Sequence, residues 1–156
     1  HTNNAAGSVQ RFLNMGVSPA DLSTAVNAFI AQRLVRKLCQ CKEKVTPTED
    51  ELKKINAVLS TVSDKTGVTV PKKIKNIYKP KGCDLCNHIG YKGRTTVSEV
   101  LVIDTDIQEL ISQMVITAKI QAQGVANGML TMAQDGILKV IEGETSLEEV
   151  MRVTEV

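Results

Sequence analysis

The sequence predicts an α+β fold that is mainly α. Helix-start signals recur along the chain, each followed by apolar residues at helical spacing. One segment near Arg94–Ile103 is instead rich in β-branched residues and follows a glycine, as strands often do. Hydrophobic residues make up 42% of the 156 residues, which is enough to build a core. The length allows one ordinary domain or two small ones.

The N-terminal part predicts two short helices. Ser8 is expected to cap the first helix, and Gly16 to end it. Ser18 is expected to cap the second, with Pro19 at its first position. The predicted apolar stripe of this second helix consists of Leu22, Ala25, Val26, Phe29 and Ile30. The next segment, QRLVRKLC, fits neither the helical nor the strand period, so its periodicity leaves both structures open.

The middle of the chain contains one clear helix signal and one basic loop. Thr48 and Glu51 have the spacing of a capping box, which predicts a helix of about 12 residues. A basic, proline-containing stretch follows, and we expect it to be a loop with a short extended piece. The strand near Arg94–Ile103 comes after this loop.

The last third of the sequence predicts four helices. Asp104 or Thr105 begins the first, and Thr117 begins the second. Capping-box pairs predict the start of the other two helices, namely Thr131 with Gln134 and Ser146 with Glu149. The sequence therefore predicts a compact helical subdomain.

Composition and charge exclude some functions. A net charge of +2 and only four aromatic residues, two Tyr and two Phe, argue against a nucleic-acid binder. The sequence contains neither a signal-peptide pattern nor an apolar run of the roughly 20 residues that cross a membrane. Because the chain starts with His1 and a polar segment, we expect it to be part of a longer protein.

Four cysteines form two close pairs, Cys39 with Cys41 and Cys83 with Cys86. In a chain without a secretory signal, such pairs favour a metal site over disulfides, and a tetrahedral zinc ion takes four ligands. The pair with a single intervening residue is the weaker evidence. The alternatives are four free thiols or a disulfide within one pair. His88 offers a substitute ligand, although we expect it to be a surface histidine.

A group of lysines precedes the second cysteine pair. A four-thiolate zinc site carries a formal charge of −2, which nearby ammonium groups would offset. The alternative is contact with anionic lipid headgroups, so a peripheral association with a membrane stays open. The lysines concerned are Lys72, Lys73, Lys75, Lys79 and Lys81.

Long segments of the chain resemble one protein family. The similarity extends over nearly the whole sequence and follows the order of that family's motifs. The segments that carry it are HTNNAAG, IAQRLVRKLC, CDLCNHIGYKGR, GRTTVSEVLVID and the C-terminal GMLTMAQDGILKVIEGETSLEEVMRVT. On these segments the sequence is similar to the type II secretion and type IV pilus-assembly ATPases.

The resemblance implies a hexameric, RecA-like motor that binds ATP and magnesium between subunits. Such motors work at the cytoplasmic face of the bacterial inner membrane, beside an inner-membrane platform protein. The implied segments are the end of the RecA-like core (1–38), a tetracysteine zinc insertion (39–88), a returning core strand (89–103) and a helical subdomain (104–156). The resemblance also implies that QRLVRKLC is a strand paired with the Arg94–Ile103 strand.

Two residues besides the cysteines are candidates for the nucleotide site, and the resemblance carries only the first of them. His1 matches the family's His box, which implies a place near the γ-phosphate of ATP. Arg33 is expected to reach a phosphate or a neighbouring subunit, or else to pair with a surface carboxylate. We expect Arg36 and Lys37 to be solvated charges.

The sequence departs from the family pattern at several positions. The family's first cysteine pair usually has two intervening residues, and Thr96 and Ser98 stand where Gly and Tyr are expected. No G-x-x-x-x-G-K-[ST] phosphate loop occurs, so we expect that loop to lie upstream of His1. The predicted function is that of the C-terminal portion of a motor ATPase for pilus assembly or protein secretion. The alternative is a free-standing zinc-binding interaction module.

Overall fold

Residues 2–154 are described by the structure, a computed structural model. They form an α+β fold with seven α-helices and two small sheets, which confirms the predicted fold class at that level. In chain order the helices and strands are α1 (Ala5–Asn14), α2 (Pro19–Ala25), β1 (Ala28–Leu38), β2 (Glu43–Val45), α3 (Glu49–Leu59), β3 (Ile77–Lys79), β4 (Tyr91–Val102), α4 (Thr105–Ser112), α5 (Thr117–Ala126), α6 (Met132–Glu142) and α7 (Leu147–Val153).

The chain divides into two compact units, and β1 and β4 pass from one into the other. Unit 1 consists of the segments ending at Gln32, Ser63–Val68 and Ser98–Thr131. Unit 2 consists of Arg33–Val62, Thr69–Val97 and the segment from Met132 onward. The predicted segment boundaries after residues 38, 88 and 103 stay predictions.

Unit 1 is built on α1, α2, α4 and α5, which pack against one another. The side chain of Asn4 accepts the N–H of Gly7 at 2.8 Å and caps α1. The predicted cap at Ser8 is therefore wrong, because Ser8 lies inside this helix. The buried carboxylate of Glu99, in β4, accepts the N–H of Ala5 at 2.6 Å, where a negative charge also meets the positive end of the helix dipole.

The predicted stripe along α2 is correct only in its first part. Ser18 caps α2 as predicted, because its hydroxyl accepts the N–H of Asp21 at 3.1 Å. The helix ends at Ala25, however, and Phe29 and Ile30 belong to β1. Pairing with β4 overrides the helical spacing of these residues, as tertiary context commonly does.

Strands β1 and β4 form an antiparallel pair. The N–H of Cys39 donates to the carbonyl of Gly90 at one end, at 2.9 Å, and the N–H of Ile103 donates to Asn27 at the other, also at 2.9 Å. The strand expected near Arg94–Ile103 is therefore present, and the segment QRLVRKLC is also strand. The segment that connects β1 to β4 therefore begins and ends at the same place, where Cys39 bonds to Gly90.

Unit 2 has an apolar core between α3, α6, α7 and β3. The predicted capping box begins α3: Thr48 accepts the N–H of Glu51, and the Glu51 carboxylate accepts the N–H of Thr48. Strands β2 and β3 pair antiparallel, with Val45 opposite Ile77. The fully or largely buried side chains of the core are Ile55, Val58, Leu59, Ile77, Ile137, Val140, Leu147 and Val150.

Candidate metal centre

The first cysteine pair lies in a tight turn at the end of β1. Cys39 follows Leu38, the last residue of the strand, and its N–H bonds to Gly90. The N–H of Lys42 donates to the carbonyl of Cys39 at 2.9 Å, which closes a four-residue turn. Because Cys39 and Cys41 lie within this turn, both side chains reach the same place across a single intervening residue.

The second cysteine pair lies in a knuckle that glycines make possible. A 3-10 helix spans Asp84–Cys86, and Asn87 and His88 follow with φ of 49° and 61°. A Cβ at Gly82 would come within 2.5 Å of the carbonyl oxygen of His88, and the φ of Gly82 is +100°. Only glycine fits this position without strain. The knuckle therefore depends on the residue that precedes Cys83 as well as on the cysteines.

The four sulfurs converge on one point. All four Sγ atoms lie within 4.8 Å of one another, and none is in a disulfide. The pairs Cys39–Cys83 and Cys41–Cys86 are each 3.9 Å apart, and Cys83–Cys86 is 3.8 Å. Four sulfurs bound to zinc at about 2.3 Å lie about 3.8 Å apart at the corners of a tetrahedron. The spacing therefore suits a tetrahedral metal ion.

The pKa values of Cys86 and Cys41 shift in opposite directions. Burial opposes ionisation of Cys86, but the N–H groups of Cys83 and Gly90, at 3.2 and 3.3 Å, outweigh it and lower the pKa to about 6. Burial raises the pKa of Cys41 to about 12, and its contact with Cys83 adds to the effect. Of these two sulfurs, the protein alone favours the thiolate at Cys86, and a divalent cation would supply the charge that ionises Cys41.

The donor set fits zinc and leaves no position for a substrate. Four thiolates complete a tetrahedral shell, which is the arrangement of structural zinc sites; catalytic sites keep one position open. Thiolate ligands also favour zinc over magnesium or calcium, which prefer oxygen. A metal at Cys39, Cys41, Cys83 and Cys86 would therefore join the end of β1 to the knuckle that precedes β4.

The structure places His88 away from this cluster. Its side chain is exposed, and Nε2 lies 3.1 Å from the carboxylate of Asp84. The expectation of a surface histidine is therefore confirmed. Among the lysines, Lys79 pairs with Glu51 at 2.7 Å. No sequence pattern predicts a role for Lys42. Its Nζ donates to the carbonyl of Gly143 at 2.6 Å and lies over the ring of Tyr78.

Both nucleotide-site predictions stay predictions. His1 lies outside the described residues, so its predicted place near a phosphate stays a prediction. Arg33 is half-buried in β1. Its predicted contact with a phosphate or a neighbouring subunit also stays a prediction.

A second polar cluster, centred on Glu149, was missed. The prediction of a solvated charge at Arg36 is correct only in part, because the side chain is 48% exposed but its Nη2 donates to the buried Glu149 Oε1 at 2.8 Å. Arg152 binds the same carboxylate through Nε at 3.0 Å and Nη2 at 2.9 Å. The guanidinium of Arg36 also lies 4.2 Å from the centre of the Tyr91 ring. Lys37 is not simply solvated either, since its Nζ lies 3.4 Å from Glu144.

Membership of a protein family is decided by comparison with known sequences. The family described as "Type II/IV secretion system protein" matches residues 1–152. The chain belongs to this family. The resemblance of its segments to secretion and pilus-assembly ATPases is thereby confirmed.

Curated members of the type II/IV secretion family are similar to the chain over almost all of its length. The chain is 37% identical to the type II secretion system protein E of Aeromonas hydrophila and 41% identical to the type IV pilus assembly ATPase PilB of Pseudomonas aeruginosa. It is 34% identical to PilB of Thermus thermophilus. Each comparison covers 99% of the chain, but only 28%, 25% and 16% of these relatives. The chain thus spans between 16% and 28% of the length of these relatives.

Among residues 2–154, no helix is both long and apolar enough to cross a membrane.

Proposed function

We propose that the chain is the C-terminal portion of a hexameric ATPase motor that powers type IV pilus assembly or type II protein secretion. The observation that carries this proposal is the family match, together with relatives whose names specify these two processes. In the full-length motor, the phosphate loop and the magnesium ligands lie outside this chain. His1 lies near the γ-phosphate, and Arg33 contacts a phosphate or a neighbouring subunit.

The chain contributes architecture and subunit contacts to the motor. Strands β1 and β4 are neighbouring strands of a RecA-like core, and the tetracysteine module is an insertion between them. The antiparallel bonds at both ends of this strand pair support that arrangement. The motor works at the cytoplasmic face of the bacterial inner membrane, with a platform protein of the secretion or pilus machine as its partner.

The four cysteines hold a structural zinc ion in this proposal. Their mutual spacing, the fit of four sulfurs to a tetrahedron and the thiolate donor set support it. Structural zinc contributes about 10–16 kcal/mol of apparent binding free energy in small domains, so its loss would unfold the surrounding segment. All four ligands lie in unit 2, so the site needs no other part of a longer protein.

Elemental analysis of the purified, reduced chain tests the metal part of the proposal. We expect one equivalent of zinc in the wild type and in His88→Ala, and less than a tenth of an equivalent in Cys86→Ser. Removal of zinc with a chelator should reduce the far-ultraviolet circular dichroism of the wild type. Reduced wild-type protein that is folded without any bound metal would exclude the zinc site.

Sequencing of the reading frame upstream of His1 tests the motor part. A phosphate loop of the form G-x-x-x-x-G-K-[ST] should precede this chain in the same protein, because phosphoryl transfer needs that loop to position the nucleotide. A reading frame without such a loop would refute the motor assignment and leave the zinc site intact.

The alternative is a free-standing zinc-binding interaction module. The containment of the metal site within one unit of the chain favours this reading. Against it stands the family match over residues 1–152, which includes the segments outside that unit. The upstream reading frame distinguishes the two functions.

A further inference from the structure

A small cavity in unit 2 is lined by arginines. Its volume is about 330 Å³, and the lining residues are Leu34, Val35, Arg36, Arg94 and Arg152. These residues come from β1, β4 and α7, which are distant in sequence. The cavity therefore gathers three guanidinium groups that no local sequence pattern would connect.

Two of the three arginines are held in place by one carboxylate. The side chain of Glu149 is fully buried and binds both Arg36 and Arg152 at 2.8 to 3.0 Å. The two guanidinium groups remain about half exposed, at 48% and 55%. Because each guanidinium carries five N–H donors and Glu149 takes only one or two from each, donors remain for a ligand.

The charge of the cavity is not balanced from within. Among residues 2–154, the lining contains three arginines and no carboxylate, and the buried Glu149 pairs with only two of these arginines, so positive charge is in excess. Glu148, which is exposed on the same helix, is not among the lining residues. Fixed guanidinium groups with an excess of positive charge are the usual means by which proteins bind phosphate, since the planar donor fork matches two phosphate oxygens.

We propose that this cavity binds a phosphate group, held by Arg36 and Arg152 from one side and by Arg94 from β4. Its volume is at the lower end of the range for ligand sites, so it accommodates a phosphate and its immediate ester group rather than a macromolecule. Leu34 is 54% exposed at the edge, which gives the ester part an apolar surface. The phosphate belongs to a soluble phosphate compound or to the headgroup of an anionic lipid.

The test uses Arg94→Gln, because Arg94 is outside the Glu149 ion pairs and its replacement leaves these pairs in place. Lys53→Gln is the matched control, since it removes one exposed positive charge from α3 in the same unit. Binding of inorganic phosphate to the zinc-loaded chain is measured by titration with NMR detection of arginine side chains. Sedimentation with vesicles of phosphatidylcholine, with and without phosphatidic acid, is measured in parallel.

We expect saturable phosphate binding in the wild type, with shifts confined to Arg36, Arg94 and Arg152. The dissociation constant should be about tenfold higher in Arg94→Gln, as expected for loss of a charge-assisted bond, and unchanged in Lys53→Gln. Vesicle binding that needs phosphatidic acid and Arg94 would identify the lipid headgroup as the source. Phosphate binding without vesicle binding would identify a soluble compound.

Three results would overturn the proposal. The first is the absence of both phosphate and vesicle binding at physiological ionic strength. The second is an equal loss in Arg94→Gln and Lys53→Gln, because binding would then reflect general charge. The third is Arg94-dependent binding of a glutamate-rich peptide that phosphate does not compete with, which would make the cavity a contact for acidic protein segments.

Discussion

The carboxylate of Glu149 binds Arg36 twice, once at the backbone and once at the side chain. Oε2 accepts the backbone N–H and Oε1 accepts Nη2, both at 2.8 Å. Burial opposes ionisation of Glu149, but the hydrogen bonds from Arg152 and Arg36 outweigh it and lower the pKa to about 2. One carboxylate thereby ties α7 to β1 across 113 residues of sequence.

This lowered pKa predicts a loss of stability in acid. The contribution of Glu149 is present above the ordinary glutamate pKa of about 4.5 and disappears as the pH falls from there to about 2. Glu149→Gln should lower the free energy of unfolding at pH 7 by about 2 kcal/mol, because bonds to a charged group are lost. In the mutant, the decline in stability between pH 5 and pH 3 should be smaller than in the wild type, as measured by urea unfolding.

Glu148→Gln is the control for this measurement, because Glu148 is the exposed neighbour on the same helix. It should change the free energy of unfolding by less than about 0.5 kcal/mol. Equal acid profiles for Glu149→Gln and the wild type would show that the buried carboxylate does not stabilise the fold through its charge.

Gly143 is expected to resist substitution because of Tyr78. Its φ is +74°, and an added Cβ would come within 2.4 Å of Cδ2 of the Tyr78 ring. Gly143→Ala should therefore combine left-handed strain with a steric clash and lower the free energy of unfolding by about 2–4 kcal/mol. For a chain of this size, that corresponds to a fall in melting temperature of roughly 4–15 °C.

Gly16→Ala separates the two effects. Gly16 has a φ of +89°, but nothing lies within 4 Å of its would-be Cβ. This variant should show only the backbone cost, about 1–2 kcal/mol. If both alanine variants melt at the same temperature, the contact with Tyr78 has no steric consequence.

Cobalt binding reports whether Cys41 completes the metal shell in spite of its short spacing from Cys39. In the wild type, Co²⁺ should give sulfur-to-metal charge-transfer absorption of a four-thiolate site. Cys41→Ser should lower this absorption by about a quarter, since one of four thiolates is lost. His88→Ala should leave the spectrum unchanged; an altered spectrum in that variant and an unaltered one in Cys41→Ser would make His88 the fourth ligand.

The chain alone should not hydrolyse ATP. The sequence has no phosphate loop of the form G-x-x-x-x-G-K-[ST], and phosphoryl transfer without it has neither positioning nor a bound magnesium ion. Phosphate release by the purified chain with ATP and magnesium should equal that of a Cys86→Ser control. A magnesium-dependent rate above this background, retained after further purification, would contradict the prediction.

Helix starts are predicted from the sequence more reliably than long-range contacts are. The Thr48–Glu51 capping box and the Ser18 cap form as predicted, because the atoms involved are three residues apart. Sequence alone predicts a solvated charge at Arg36, because its partner Glu149 lies on another element and follows no pattern of spacing. Sequence alone also predicts a helix at Phe29. The residue lies in β1, and the partner strand β4 is far along the chain, so no local pattern reveals the pairing.

The metal cluster could be predicted in part: its location follows from the sequence, but its local geometry does not. The cysteines identified its location from sequence, since two close pairs in one chain indicate a shared ion. A turn closed by Lys42 and Cys39 brings Cys39 and Cys41 to the same site across a single intervening residue. This turn could not be predicted from the cysteine pair alone. The glycine before Cys83 was a usable signal, because a knuckle that approaches its own backbone closely needs a residue without a Cβ.

The hydrogen bond between Cys39 and Gly90 lets a loop within the segment between them change in length. Their hydrogen bond at 2.9 Å and the adjacent sulfur cluster fix the two ends of that segment at one point. The entropy of closing such a loop grows only logarithmically, so doubling its length costs about 0.6 kcal/mol. Insertions and deletions during evolution can therefore accumulate in the loop between α3 and β3, outside the core elements, while the register of the β1–β4 pair stays the same.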